Sequence, residues 1–327
     1  MANETSLTLS YGPLLTSTLF NYLESGSFAD NIADATPTLD YYLSGDRIKL
    51  TTGGERLSVA IMHELNSTAQ SYTGYGVLDT SESTGFTRAF FTNKLYAVSI
   101  AINGDELTAN MGEAQLFDLL NGKTSQAEIS LANLLSTDLF STSADGASGI
   151  TGLGLQIDSA GTYGTIDRSS NTAWASNEAS VGAAATNLLP NLRTQYNNAT
   201  QGKGGMSSKP DAIVFTQTNH EAFEALMFPF LQYTGSATAD NSVNAGLSDL
   251  RYKAARTWWD ADATSGTAFG LNSAHSWLAV HRNRNMSMAE GGFQKPVNQD
   301  ALVTQVLFKG NLVSNAPKKL FKLTGIT

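Results

Sequence analysis

The chain contains no cysteine. That absence excludes a disulfide framework, a thiolate nucleophile and a zinc–thiolate site, and it leaves the redox compartment unmarked. Basic charge is also scarce, with 20 Lys and Arg against 29 Asp and Glu and a net charge of −9. Without a basic stripe, a binder driven by phosphate electrostatics is excluded. The acidic balance suits an ordinary soluble protein equally well. No stretch approaches the roughly 20 continuous apolar residues of a membrane span. The opening Met-Ala-Asn-Glu lacks the basic and apolar regions of a signal peptide, and its first residues are expected to be held by contacts. No repeat of about 20 to 50 residues is visible, which excludes a solenoid.

Reaction centres are equally scarce. His63 and His220 are each followed by Glu but lack the second histidine of a zinc-protease helix. His275 and His281 do not have the i, i+4 spacing of a helical metal pair. On a strand they would share a face, but no carboxylates complete a site. There is no Gly-x-Ser-x-Gly elbow. Gly74-Tyr-Gly76 lacks the third glycine of a dinucleotide loop, and Lys203-Gly-Gly lacks the ending of a phosphate loop. Asp260 and Asp262 sit between a tryptophan-rich strand and a Thr/Ser/Gly turn, which predicts an Asx turn rather than an acid/base pair. No catalytic residue, cofactor or metal ligand is nominated. A dispersed active site would leave no local motif.

What is present is enough chain for two compact domains, or for one with large excursions. It has 327 residues, and the 41% hydrophobic fraction allows a real core. The organising stretch is Asn103 to Ser141, expected as a helical spine in three pieces. Asn103 caps the first piece, with Glu106 reaching back. Gly112 interrupts before Leu116, Phe117, Leu119 and Leu120, and Gly122 is placed for a left-handed C-terminal cap. Ser125-Gln-Ala-Glu128 then opens the longest piece, whose Leu131, Leu134, Leu135 and Leu139 form a core-facing stripe.

Residues 1–46 are expected as an extended arm with a short helix around Leu14 to Leu23, stable only against a support. Two alternating strands follow, Arg56 to Leu65 and Phe86 to Ile102. The polar tip between them, with Tyr72 and Tyr75, runs for about 20 residues, uncommonly long for a compact domain. It reads either as a flexible surface loop or as a hairpin built to lie on another subunit. Leu153, Leu155 and Ile157 alternate as a short strand, and the glycines of Gly161 to Arg168 mark tight turns. Asp167 and Arg168 are expected to pair with different partners. A helix is expected over Val181 to Asn198, with Pro190 at its start or at a kink. Strand Ala212 to Phe215 leading into a helix with Phe223, Leu226, Met227 and Phe230 indicates an α/β subdomain. Further strands are expected over Leu250 to Trp259, Phe269 to Val280 and Asp300 to Leu323, the last returning to the first half.

In order, the words Leu78-Asp-Thr-Ser-Glu82, Phe86-Thr-Arg88, Asn93-Lys-Leu-Tyr-Ala-Val-Ser-Ile100 and Asn103-Gly-Asp-Glu106 precede Gly152-Leu-Gly154 and Gly161-Thr-Tyr-Gly-Thr-Ile-Asp-Arg168. Gln294-Lys-Pro296, Asn298-Gln-Asp300 and Gly310-Asn-Leu312 close the series. Together with the order of parts, they resemble the major capsid proteins of tailed bacteriophages over most of residues 47–327. The resemblance implies an α+β phage capsid fold shared with encapsulins. Its parts would be an N-terminal arm (1–46), a β-hairpin extended loop (47–103), a peripheral domain with the spine helix (104–183), an α/β axial domain (184–290) and a return strand of the peripheral domain (291–327).

It further implies a structural, non-enzymatic subunit forming the hexamers and pentamers of an icosahedral shell around double-stranded DNA, held without sequence readout. The implied location is the virion, after assembly in the host cytoplasm and with no membrane partner. Portal protein, a separate scaffold (the arm being short, with Met1 retained) and decoration proteins are the implied partners. Candidate intersubunit contacts are Tyr72, Tyr75, Phe86, Arg88, Lys94, Asp167 and Arg168. No motif selects Lys49 or Lys94 for the lysine–asparagine cross-link of some relatives. The alternatives are an encapsulin-type compartment with protein cargo, a secreted β-rich adhesin, and an enzyme with a dispersed site.

Overall fold

The computed structural model describes residues 36–44, 47–109, 119–142, 148–201, 208–227, 250–289 and 292–327. They divide into two compact units. The smaller contains Tyr96–Asn133 and Arg284–Phe308, and the larger contains Ala35–Leu95, Leu134–Asn283 and Lys309–Thr327. The expected helix around Leu14 to Leu23, Gly112 and Phe230 lie outside the described residues.

The larger unit opens with helix α1 (Pro37–Leu43) and strand β1 (Ile48–Thr51). The hairpin strands β2 (Arg56–Met62) and β3 (Phe86–Thr92) follow. An extended arm was expected where α1 stands. Its Leu39 and Tyr42 are buried, so the helix is held by packing rather than by its own short length. After the long helix described below come the single turn α4 (Leu153–Gln156) and the small hairpin β5 (Thr162–Tyr163) and β6 (Ile166–Asp167). Leu153 and Leu155 are therefore helical and Ile157 caps the turn, so the three do not form a strand. Leu153 and Ile157 are fully buried along with Gln156, so their spacing reflects burial on several sides rather than one sheet face.

The core of this unit is a six-stranded sheet ordered β7-β15-β11-β8-β10-β9. Its strands are β7 (Asn177–Gly182), β8 (Ala212–Phe215), β9 (Arg251–Tyr252), β10 (Ala255–Trp259), β11 (Ala268–Leu271) and β15 (Phe321–Ile326). Every residue of β8 and β11 is buried, as unbroken apolar runs in central strands require. Helices α5 (Ala184–Thr200) and α6 (Gln217–Met227) cover one face, where Leu188, Leu192, Tyr196 and Phe223 pack on Ile213, Phe215, Phe321 and Leu323. Helix α5 runs through Pro190, which is neither its start nor its end.

On the opposite face, α1 is tied down by side chains. Trp258 Nε1 donates to Thr38 Oγ1 at 3.1 Å, and Asp260 Oδ2 accepts the Thr38 N–H at 3.1 Å. Tyr41 donates its hydroxyl to Asp211 at 2.8 Å. Gly270 lies opposite Phe321, and a Cβ there would sit inside the Phe321 ring.

The expected strand Phe269 to Val280 is two strands in two sheets. Asn272 breaks it, its side chain accepting the Ala274 N–H and its carbonyl accepting those of His275 and Ser276. The chain then enters β12 (Ser276–His281), which pairs in parallel with β1 and antiparallel with the second half of β14 (Ala301–Ser314). The expected return element is likewise divided. A turn at Pro317–Lys319 follows β14, and β15 enters the six-stranded sheet between β7 and β11.

In the smaller unit, β4 (Lys94–Asn103) leads to α2 (Gly104–Ala109). The expected capping box is present. Asn103 Oδ1 accepts the Asp105 N–H, and Glu106 Oε2 accepts the Asn103 N–H, both at 3.4 Å. Lys123 bridges Glu106 at 2.6 Å and the Ala101 carbonyl at 2.9 Å. The long helix α3 (Leu119–Leu139) does not stop at Gly122 or restart at Ser125. Gly122 falls in the first turn of α3, and a glycine within a helix costs about 1 kcal/mol against alanine, which the buried Leu131, Leu135 and Leu139 of the same helix offset. Strand β13 (Ser287–Met288) pairs with the first half of β14, and Lys295 bridges Asp300 at 2.7 Å across the intervening turn.

Candidate assembly surface

The β2–β3 hairpin is an antiparallel pair in continuous register from Arg56↔Thr92 to Met62↔Phe86. Its alternation gives it two unlike faces. Leu57, Val59, Ile61, Ala89 and Phe91 pack with Tyr163, Trp174, Trp277 and Val313 of the same unit. The β5–β6 turn is pressed against this face. Gly164 and Thr165 are both left-handed, as a two-residue hairpin turn requires. The Gly164 carbonyl accepts the Phe90 N–H at 3.0 Å, and a Cβ on Gly164 would stand 2.7 Å from the Phe91 ring.

The other face carries Met62, Phe86, Arg88 and Phe90, all exposed. Met62 and Phe86 are directly opposite each other and are 57% and 78% exposed. Beyond them the tip presents Leu65, Tyr72, Tyr75, Val77 and Leu78 to solvent. Its hydrogen bonds are local. Asn66 Oδ1 accepts from Thr68, Gln70 donates to the Val77 carbonyl, and Asp79 accepts from Ser81. Those Ser81 bonds hold the Asp79 carboxyl below its ordinary value. Most large apolar side chains exposed among the described residues lie between Met62 and Phe90. Apolar surface concentrated on one exposed hairpin marks an interaction site.

Of the residues singled out from the sequence, Tyr72, Tyr75, Phe86 and Arg88 are exposed on the hairpin. Asp167 is also exposed. It accepts from Ser169 and Ser170, and these bonds lower its carboxyl. Lys94 is buried. Arg168 is buried inside its own chain, donating to the carbonyls of Leu155, Gln156 and Ala160 beside the Tyr163 ring. As intersubunit contacts Lys94 and Arg168 are therefore both corrected. Burial lowers the affinity of the Arg168 guanidinium for the proton, and three carbonyl partners oppose that cost. Met62, Leu65, Val77, Leu78 and Phe90 were not singled out, although strand alternation already put Met62 and Phe90 on the face of Phe86.

Chemistry elsewhere is sparse. Asp260 Oδ1 accepts the Asp262 N–H at 3.1 Å, the Asx turn expected there. His281 accepts from the Asn283 N–H, and His275 bonds to other neighbours. Among the described residues, no three His, Asp or Glu side chains converge as a metal site requires, and no helix is long and apolar enough to cross a membrane.

No protein-family model and no curated protein sequence matches the chain. Solved structures do. The capsid asymmetric unit of cyanophage A-1(L) is similar at a TM-score of 0.68 and 15% identity, covering 93% of this chain and 96% of that one. The capsid of an empty GTA particle is similar at 0.64 and 9% identity, covering 99% and 100%. A chain of Mycobacterium phage Bobi is similar at 0.54 and 12% identity, covering 91% and 94%. Sequence similarity this low carries no functional detail, but the matches run nearly end to end in both directions, and the fold they share with this chain is that of the tailed-phage major capsid proteins.

Proposed function

We propose that this chain is the major capsid subunit of a phage or phage-like particle. Subunits associate as hexamers and pentamers into an icosahedral shell around double-stranded DNA. The observation that carries the reading is the near-complete mutual coverage with the cyanophage capsid chain. The net charge of −9 supports confinement of DNA over tight binding. In this reading residues 47–103 form the extended loop, 104–183 and 291–327 the peripheral domain, and 184–290 the axial domain, with 1–46 as the arm. Tyr72, Tyr75, Phe86 and Arg88 meet a neighbouring subunit, joined by Met62 and Phe90 on the same face. Asp167 is a further exposed contact. Portal, scaffold and decoration proteins complete the particle, which assembles in the host cytoplasm.

Electron microscopy of the purified protein, alone and with a co-expressed scaffold, tests this directly. Closed shells or capsomer rings of uniform size are expected. A monomer that persists across concentration and salt in both preparations sinks the reading. Shells filled with protein instead of nucleic acid would replace the DNA container with a cargo compartment.

A further inference from the structure

Three side chains of the larger unit, Ser208, His275 and Asn315, meet at hydrogen-bond distance. Asn315 and His275 lie one residue beyond the β12–β14 ladder, whose last pair is Ser276↔Ser314. The Asn315 N–H donates to the His275 carbonyl at 3.2 Å, so the two residues continue the strand pairing and their side chains are cross-strand neighbours. His275 Nδ1 and Asn315 Oδ1 are 2.9 Å apart. On its other side, His275 Nε2 is 2.5 Å from Ser208 Oγ. Asn315 Oδ1 is an acceptor only, so Nδ1 carries the ring proton and Nε2 keeps its lone pair for the serine hydroxyl. This is the tautomer of a general base. A hydroxyl, a base and a group that orients the base are the recurring parts of an activated serine.

Two further features fix the arrangement. The His275 N–H donates to the Asn272 carbonyl at 3.0 Å, and the Asn272 side chain accepts the Ala274 N–H, which holds the backbone before β12. Ser208, His275 and Asn315 are each half-buried.

We propose that Ser208 is an activated nucleophile that accepts acyl groups from small esters, with His275 as general base and Asn315 as a positioning residue. Ser208 Oγ forms a bond to the ester carbonyl carbon as the bond to the leaving oxygen breaks. The hydroxyl proton passes to His275 Nε2 and on to the departing alkoxide. Water reverses the sequence, releasing the free acid and restoring the serine, with no change in oxidation state. A neutral asparagine orients the ring but does not stabilise its protonated form as a carboxylate would, so the site is a slow one.

The test uses the full chain and a fluorophosphonate probe. Ser208 Oγ replaces fluoride at phosphorus and the proton leaves through His275. Peptide mapping by mass spectrometry is expected to place the label on Ser208 ahead of the other serines. His275→Gln should slow labelling by about 10²-fold, and added imidazole should restore part of it in His275→Ala. Asn315→Ala should slow it and Asn315→Asp should not. Thermal unfolding of each variant separates lost reactivity from lost fold. The mapping on the unaltered protein needs no variant. Label spread evenly over surface serines overturns the proposal, as does a rate on Ser208 unchanged in a folded His275→Gln variant.

Discussion

In the six-stranded sheet, β8 and β11 bury every side chain, and helices α5 and α6 close one face over them. In the hairpin of the same unit, β2 and β3 bury one face on Tyr163, Trp174 and Trp277 and leave Met62, Phe86 and Phe90 in water. The first region satisfies its own hydrophobic surface. The second does so on one face only. Burial stabilises by roughly 25 cal/mol per Å² of apolar surface, so the exposed face is an unrealised gain that a second surface would supply. Substitutions in the sheet are therefore expected to act on folding, and substitutions on the outer hairpin face on association.

The largest effect on folding is expected at Phe223, which is fully buried and stacks on Phe215 with ring centroids 5.3 Å apart. Phe223→Ala should lower the unfolding free energy by about 3–5 kcal/mol in urea titrations. A loss below about 1 kcal/mol would mean that this layer collapses around the gap and is not close-packed.

Asp260 should come next. Asp260→Ala removes the acceptor of the Thr38 N–H at the start of α1 and should cost about 1–3 kcal/mol. Amide exchange or limited proteolysis should show α1 opening first. Burial raises the Asp260 carboxyl above its ordinary 3.8 against the lowering by its Thr38 and Asp262 donors. A raised folded value means that the native state holds the proton more firmly. This stabilisation is fully present below the ordinary value and disappears as pH rises through the raised one. Wild type should thus gain on Asp260→Asn as the solution is acidified. A stability difference that does not change with pH would remove Asp260 as a buried, titrating anchor.

The same contrast decides what could be read from the sequence. Strict alternation marked β2 and β3 because one face of each is wet, and β8 with α6 was visible because the apolar period changes from strand to helix. Asn103 with Glu106 and Asp260 with Asp262 were legible because their bonds are local. The misses share a distant cause. Gly122 looks like a stop until it is seen inside α3. Leu153 to Ile157 looks like a strand until the fold shows one helical turn with Leu153, Gln156 and Ile157 buried. Phe269 to Val280 looks continuous until Asn272 divides it between sheets. Arg168 looks like a surface contact, and only the fold brings the three carbonyls that hold it. At the hairpin, alternation had already put Met62 and Phe90 beside Phe86 and Arg88, and their exposure was settled by what covers the opposite face.

The hairpin supplies the smallest expected folding effect and the sharpest division between the two regions. Met62→Ser combined with Phe86→Ser alters a cross-strand pair that faces water, so the unfolding free energy should move by no more than about 0.5 kcal/mol. Phe91→Ala on the inner face, packed against Tyr163 with ring centroids 4.9 Å apart, should instead cost about 3 kcal/mol or more. If the outer face is the contact between subunits, each central apolar side chain carries more than about 1 kcal/mol of association. That loss recurs at every copy of a closed shell. The double variant should therefore remain a folded subunit while losing shells or rings at the concentration where wild type forms them, read by sedimentation and electron microscopy. Normal assembly by a folded double variant would move the interface elsewhere on the chain. Equal destabilisation by the inner and outer variants would erase the distinction between the faces, because both would then be core.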